Sequence, residues 1–154
     1  MQKKTSIPIA TGERLTTKYE FFDILKNNSA SIIQMNLGRV GGILEAKKIA
    51  SLAEVFYTQI APHLYNGPIG AAASIQLATA TPNFLIMESI KTWEGFHSEV
   101  LQEPINWSNG YIIPSTKPGL GIELDFDIVK SHSPYKGKKL HLTMDSNPYY
   151  VEDN

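Results

Sequence analysis

An α/β fold of parallel strands alternating with helices is what this sequence predicts, and three observations carry the prediction. Four short apolar runs, at residues 7–10, 31–35, 58–61 and 83–87, are separated by helical patterns rather than by hairpin turns. The runs do not alternate polar with apolar, as expected where helices cover both faces of a parallel sheet. Just past each run stands a polar residue, Glu13, Asn36, His63 and Glu88 in turn, at steps of 23, 27 and 25 residues. One strand, one helix and two loops take about that many residues, so four successive βα units would carry all four groups to one edge.

The elements follow in order. Ile7-Pro8-Ile9-Ala10 is brief and β-like, and Thr11-Gly12-Glu13-Arg14 is the loop after it. Thr17-Lys18-Tyr19-Glu20 has capping-box spacing, with Phe21, Phe22, Ile24 and Leu25 as the apolar face of a short helix that Asn27-Asn28 ends. The second strand, 31–35, leads into Gly38-Arg39-Val40-Gly41-Gly42, read as a tight βα loop where glycine permits positive φ. Its glycines stand at offsets 0, 3 and 4, which is not the dinucleotide fingerprint, and no P-loop Lys-Ser/Thr follows. Arg39 in this loop offers a cation to an anionic substrate, with a surface carboxylate as the plainer partner.

Ile43, Ala46, Ile49, Ala50, Ala53 and Phe56 form the buried stripe of the next helix. After the third strand, an alanine-rich helix starts behind Pro68 and stops before Thr81-Pro82. Beyond Glu88 the texture changes. Asn109-Gly110 between Ile105-Asn106-Trp107 and Tyr111-Ile112-Ile113 signals a hairpin, and Pro134-Tyr135-Lys136-Gly137 opens a polar tail. The chain therefore divides into 1–95, carrying the βα units, and 96–154, a cover of loops and short β structure.

Composition narrows the partners. With 154 residues, 42% hydrophobic, the chain can bury one core. Its 14 basic and 15 acidic residues leave a formal charge of −1, which gives no field for nucleic acid or an anionic membrane. No apolar run approaches the roughly 20 residues of a membrane span, the start has no signal-peptide h-region, and cysteine is absent. A soluble cytoplasmic protein is the expectation.

Ile60-Ala61-Pro62-His63-Leu64-Tyr65-Asn66-Gly67-Pro68 is where chemistry is expected to centre, because a strand delivers a histidine to its carboxyl end. In parallel sheets and barrels the converging loops at that edge hold the reacting groups. A lone histidine is more often structural, but Glu, Asn, His and Glu at regular spacing favour a site.

These residues resemble the mandelate racemase/muconate lactonizing group of the enolase superfamily, and within it the acid-sugar dehydratases. The resemblance rests on Pro8-Ile9-Ala10-Thr11-Gly12-Glu13, on the run from Ile33 through Asn36 to Ile43, on Ala61-Pro62-His63, and on Pro82-Asn83-Phe84-Leu85-Ile86-Met87-Glu88. Gly119-Leu120-Gly121-Ile122-Glu123-Leu124 is similar to the group's closing segment. The resemblance implies the C-terminal half of a modified TIM-type (β/α)7β barrel, with 96–154 contributing to the capping domain. It implies Mg²⁺ as cofactor and a sugar acid as substrate. Members remove the proton alpha to a carboxylate and stabilise the resulting anion on the metal. Carried over by position, Glu13 matches a metal carboxylate, His63 the acid/base histidine, and Glu88 the carboxyl group beside the substrate carboxylate. Asn36 stands where the group usually pairs the histidine with aspartate.

Two departures shape the expectation. The chain begins at what would be the fifth barrel strand, so two metal carboxylates and the early-strand lysine base are expected to lie elsewhere. Glu13 alone would hold Mg²⁺ feebly, and open strand edges would call for a complementary N-terminal half or self-association. Asn36 is neutral, and an amide cannot back the charged ring as an aspartate does. That favours a dehydratase, inactive alone, over a racemase or epimerase of the same group. The competing reading from another class is a non-catalytic remnant or assembly partner.

Overall fold

The computed structural model describes residues 5–89 and 93–132. The first βα unit shows how the sequence builds the rest. Strand β1 (Ala10–Thr11) is followed by a turn at Gly12, and helix α1 spans Lys18–Lys26. The Thr17 side chain accepts from the Glu20 N–H, and the Glu20 carboxylate returns a bond to the Thr17 N–H at 2.8 Å. This reciprocal pairing satisfies donors that a helix start leaves open. Phe21 and Leu25 bury the inner face, whereas Phe22 stays 43% exposed and stands outside the expected apolar stripe.

Strand β2 (Ile32–Ile33) pairs in parallel with β1 on one side and with β3 (Gln59–Ile60) on the other. A fourth parallel neighbour extends the sheet through a single bridge between Ile60 and Phe84. There the Ile60 N–H donates to Asn83 O at 2.9 Å and the Leu85 N–H to Ile60 O at 2.8 Å. Asn83 is itself tied down, its Nδ2 donating to Ala50 O and Thr58 O at 3.0 and 2.9 Å. The order in space is the order in sequence, as short right-handed crossovers through helices produce.

Between β2 and β3 the glycine-rich stretch departs from the loop expected of it. Leu37–Val40 is one helical turn, α2, capped by Gly41 in the left-handed region (φ 97°). Gly42 (φ 90°) then turns the chain into α3, Ile43–Val55. Leu37 and Val40 are buried, and that burial holds the turn helical despite Gly38. Helix α3 presents Ala46, Ile49, Ala50 and Ala53 to the core, while Ile43 remains 40% exposed. Helix α4 (Pro68–Thr79) begins with Pro68 in its first turn, where the missing N–H costs nothing. Its alanines let it lie close against α3.

The core consists of Phe21, Leu25, Ile33, Met35, Ile49, Ile60 and their neighbours, all essentially without solvent contact. After Trp93 come a short helix α5 (Phe96–Glu99), the hairpin β4 (Trp107–Ser108) with β5 (Tyr111–Ile112), and helix α6 (Phe126–Ser131). The hairpin turns at Asn109 and Gly110, both with positive φ (49° and 82°), as the Asn-Gly pair requires. The polar tail from Pro134 lies outside the described residues. Among the described residues no helix is long and apolar enough to cross a membrane.

Candidate active site

Each candidate side chain leaves the sheet at the carboxyl end of a strand. Glu13 follows β1, and the turn that places it depends on Gly12 (φ 134°). A Cβ there would lie 2.8 Å from the Phe21 ring and 3.2 Å from the Gln34 backbone nitrogen. Asn36 follows β2 as the N-cap of α2, yet its side chain makes no cap bond. Its backbone carbonyl receives the Arg39 and Val40 N–H groups, and its side-chain amide faces the next strand. His63 follows β3 and remains in the ladder, its N–H donating to Met35 O at 3.1 Å. Glu88 follows the Phe84 strand and is anchored through Oε2, which accepts the Leu64 N–H at 3.0 Å.

These four groups meet. Asn36 Nδ2 donates to His63 Nδ1 at 2.8 Å, so Nδ1 presents its lone pair and the ring proton belongs on Nε2. His63 Nε2 lies 3.4 Å from Glu13 Oε2 and 3.8 Å from Glu88 Oε2. Both are acceptors, in accord with a proton on that nitrogen. Asn36 is 4% exposed. The His63 side chain is 18% exposed, against 54% for Glu13 and 45% for Glu88. The buried amide thus fixes the ring from behind while the carboxylates stand at the open edge. The Tyr65 ring lies over His63 at 6.4 Å, nearly parallel, and is itself exposed.

Arg39 is not drawn into this group. Its side chain is exposed and makes no hydrogen bond or ion pair among the described residues. Glu13 also faces a cation, Arg14, whose Nε lies 3.6 Å from Oε1.

A magnesium ion takes six oxygens in near-octahedral geometry. Glu13 offers one exposed carboxylate to such an ion. Among the described residues no group of three or more His, Cys, Asp or Glu side chains is placed to hold a metal. The residues present therefore do not by themselves fit Mg²⁺.

Asn66 belongs to the same constellation, although spacing does not single it out. Its Nδ2 donates to Asn36 Oδ1 at 3.4 Å. Asn66 enters from the loop that opens α4, not from a strand end, so the βα repeat gives no signal for it. Two glycines make room: a Cβ on Gly38 would lie 3.2 Å from Asn36 Oδ1, and one on Gly70 only 2.6 Å from Asn66 Cβ.

Comparison with known proteins agrees with this geometry. A family model described as enolase C-terminal domain-like matches residues 1–128. The chain is similar to a D-xylonate dehydratase of Haloferax volcanii, 38% identical over 130 residues, covering 84% of this chain and 32% of that protein. It is similar to a D-galactonate dehydratase of Verminephrobacter eiseniae, 37% identical over 139 residues, covering 84% of this chain and 36% of that protein. Among solved structures, a mandelate racemase/muconate lactonizing enzyme from Burkholderia SAR-1 superposes with a TM-score of 0.88 at 71% identity. That match covers 98% of this chain and 38% of the other. The chain thus spans about a third of the length of the relatives it matches. It belongs to the enolase C-terminal domain-like family, and corresponds to the C-terminal portion of the mandelate racemase/muconate lactonizing enzymes.

Proposed function

We propose that this chain forms one wall of the active site of a Mg²⁺-dependent acid-sugar dehydratase. Such a hydro-lyase takes the proton alpha to a carboxylate and eliminates a beta-hydroxyl as water. The observation that carries the reading is His63, held from behind by Asn36 and facing Glu13 and Glu88. The two dehydratases among the relatives support the choice of reaction. The structural reading that goes with it is four strands of a (β/α)7β barrel, with the segment from 96 contributing to a capping domain, in a cytoplasmic protein.

His63 is the general acid in this reading. With both ring nitrogens protonated, Nε2 gives its proton to the departing hydroxyl, the C–O bond breaks and water leaves. Nδ1 keeps its proton, which requires Asn36 to present Oδ1 in place of Nδ2. Glu88, half-exposed and fixed on the Leu64 N–H, stands beside the substrate carboxylate. Glu13 is the one metal oxygen assigned to this chain. The remaining metal carboxylates and the base for the alpha proton are assigned to polypeptide corresponding to the rest of the relatives' length. A racemase would need the histidine to take and return a proton at carbon, a task for which a neutral amide is the weaker support.

Assembly is part of the proposal. Leu85 and Ile86 on the outermost strand are 43% and 64% exposed. Covering them favours association by roughly 25 cal/mol per Å² of apolar surface. The chain alone is therefore expected to self-associate or to take a complementary N-terminal half, which light scattering at several concentrations reads directly.

The test of function is dehydration of a panel of sugar acids by the chain assembled with the N-terminal portion of a close relative. A 2-keto-3-deoxy product, lost with His63→Asn, is expected. An assembly that binds Mg²⁺ but dehydrates none of the panel, or that keeps its rate with His63→Asn, contradicts the proposal.

A further inference from the structure

Two residues past His63 stands an aromatic ring that the reaction proposed above does not use. Side chains alternate beyond the end of β3. Leu64 turns into the core and is 0% exposed, whereas His63 and Tyr65 share the open side, their rings 6.4 Å apart and inclined by 25°. The Tyr65 side chain is 70% exposed, and its hydroxyl has no hydrogen-bond partner among the described residues. Exposed tyrosines are not rare in this chain, since Tyr19, Tyr57 and Tyr111 are 71%, 99% and 72% exposed. Tyr19 lies in α1, however, Tyr57 precedes β3 and Tyr111 opens β5, so none of them stands at the carboxyl edge of the parallel sheet.

The backbone that carries Tyr65 is pinned on both sides. Before it, the His63 N–H donates to Met35 O at 3.1 Å and the Leu64 N–H to Glu88 Oε2 at 3.0 Å. The Leu64 side chain is clamped between Trp93 and Ala71. After it, the Gly67 carbonyl accepts the Ala71 N–H at 3.0 Å, in the first turn of α4. The ordering of this loop belongs to folding, so little more backbone entropy is lost when something settles on the ring. A tyrosine held in this way offers an apolar face and a hydroxyl that both donates and accepts.

In the proposed reaction the substrate carboxylate lies beside Glu88 and the beta-hydroxyl leaves at His63. An acid whose chain stops at the beta-carbon is spanned by those two residues. A longer acid must carry its remaining carbons past the imidazole, which Asn36 backs on one edge and the two carboxylates meet on the other. Tyr65 is the side chain against the face of that ring. We infer that Tyr65 is a specificity-determining residue for the part of the substrate beyond the beta-carbon. Its ring lies along the C–H groups of the chain, and its hydroxyl bonds a substrate hydroxyl. The site thereby selects polyhydroxy acids whose chain continues past the leaving group. The inference rests on the substrate placement proposed above, but on no turnover, metal or protonation state. A ring that senses the acid while dehydration fails keeps the inference and removes the reaction, and the reverse removes the inference alone.

The test is NMR of this chain with ¹³C-labelled tyrosine, titrated into the millimolar range with D-galactonate and separately with glycerate, whose chain stops at the beta-carbon. Tyr65 is one of seven tyrosines, and its ring signals are those missing from the spectrum of Tyr65→Phe. Both acids are expected to move the Leu64 amide, which reports on Glu88, whereas only galactonate should move the Tyr65 ring. Tyr65→Ala changes an exposed side chain, so the fold is retained. It should weaken galactonate by about three- to tenfold at the Leu64 amide, the worth of one polar contact, and leave glycerate unchanged. Tyr65→Phe keeps the ring face and should fall between. A Tyr65 ring silent to galactonate, equal movement of that ring by glycerate, or galactonate binding unchanged in Tyr65→Ala overturns the assignment.

Discussion

Residues 10–81 and residues 93–132 bury their apolar side chains by different means. In the first region, helices α1, α3 and α4 close over a parallel sheet, and Phe21, Ile33, Ile49 and Ile60 have no exposed surface. In the second, helices of four to six residues and one hairpin leave Tyr111 and Phe126 72% and 62% exposed. Its best-buried aromatic, Trp93, reaches across to Leu64 and Ala71 of the first region, with Ile105, Trp107 and Ile112 packed around them. The cover therefore draws its core from the very loop that follows His63. The difference teaches that the first region has a core of its own, whereas the cover packs on the site's own strand end.

Replacement of core residues should separate the two regions. Phe21→Ala removes a fully buried ring from beneath α1 and is expected to cost about 3–5 kcal/mol, unfolding both regions together in a chemical melt. Trp93→Ala should act more locally. Hydrogen exchange is expected to quicken in 100–125 and in the loop after His63, while α3 amides keep their protection. Equal loss of protection in α3 would break the comparison and make the chain one cooperative unit.

Asn36→Ala probes the seam. It leaves His63 Nδ1 and Asn66 Nδ2 without their partner at a 4% exposed position. A cost of about 1–3 kcal/mol is expected from the unsatisfied groups, read in a urea melt. A neutral result would mean that the ring is held by its neighbours alone.

The smallest effect belongs to the rim of the first region. Hydrogen bonds from the Thr16 and Thr17 N–H groups, then from the Thr17 hydroxyl, hold the Glu20 carboxyl below its ordinary value. Lys48 and then Lys18 do the same for Glu45, which ties α1 to α3. Both carboxyls are more acidic folded than unfolded. Their contribution is complete above the ordinary value of 4.5 and is lost as pH falls through the lower folded values. Thr17→Ala, costing about 1 kcal/mol at neutral pH, should flatten the acid side of the stability profile. A parallel downward shift at all pH values would take Glu20 out of the account.

Much of this was legible in residue order. The capping box at Thr17 and Glu20, the Asn109-Gly110 hairpin and the Pro68 helix start are local chemistry, and local chemistry survives folding. The alignment of Glu13, Asn36, His63 and Glu88 was legible because the βα unit has a natural length. The helical turn at Leu37–Val40 was not, since its glycines look like a loop until Leu37 and Val40 find a core. Asn66 was not legible as a site residue either, because its partner is 30 residues away and comes from a different kind of element. Arg39, chosen for its charge, stays at the surface.

The claim that this chain brings one carboxylate, not a complete set, to a magnesium site is tested most directly by thermal melting in millimolar Mg²⁺. The account predicts an unchanged melting temperature for the chain alone, and the same temperature for Glu13→Gln with and without the ion. A rise of several degrees in the parent that disappears in Glu13→Gln would contradict it, because the chain would then hold a full coordination shell of its own.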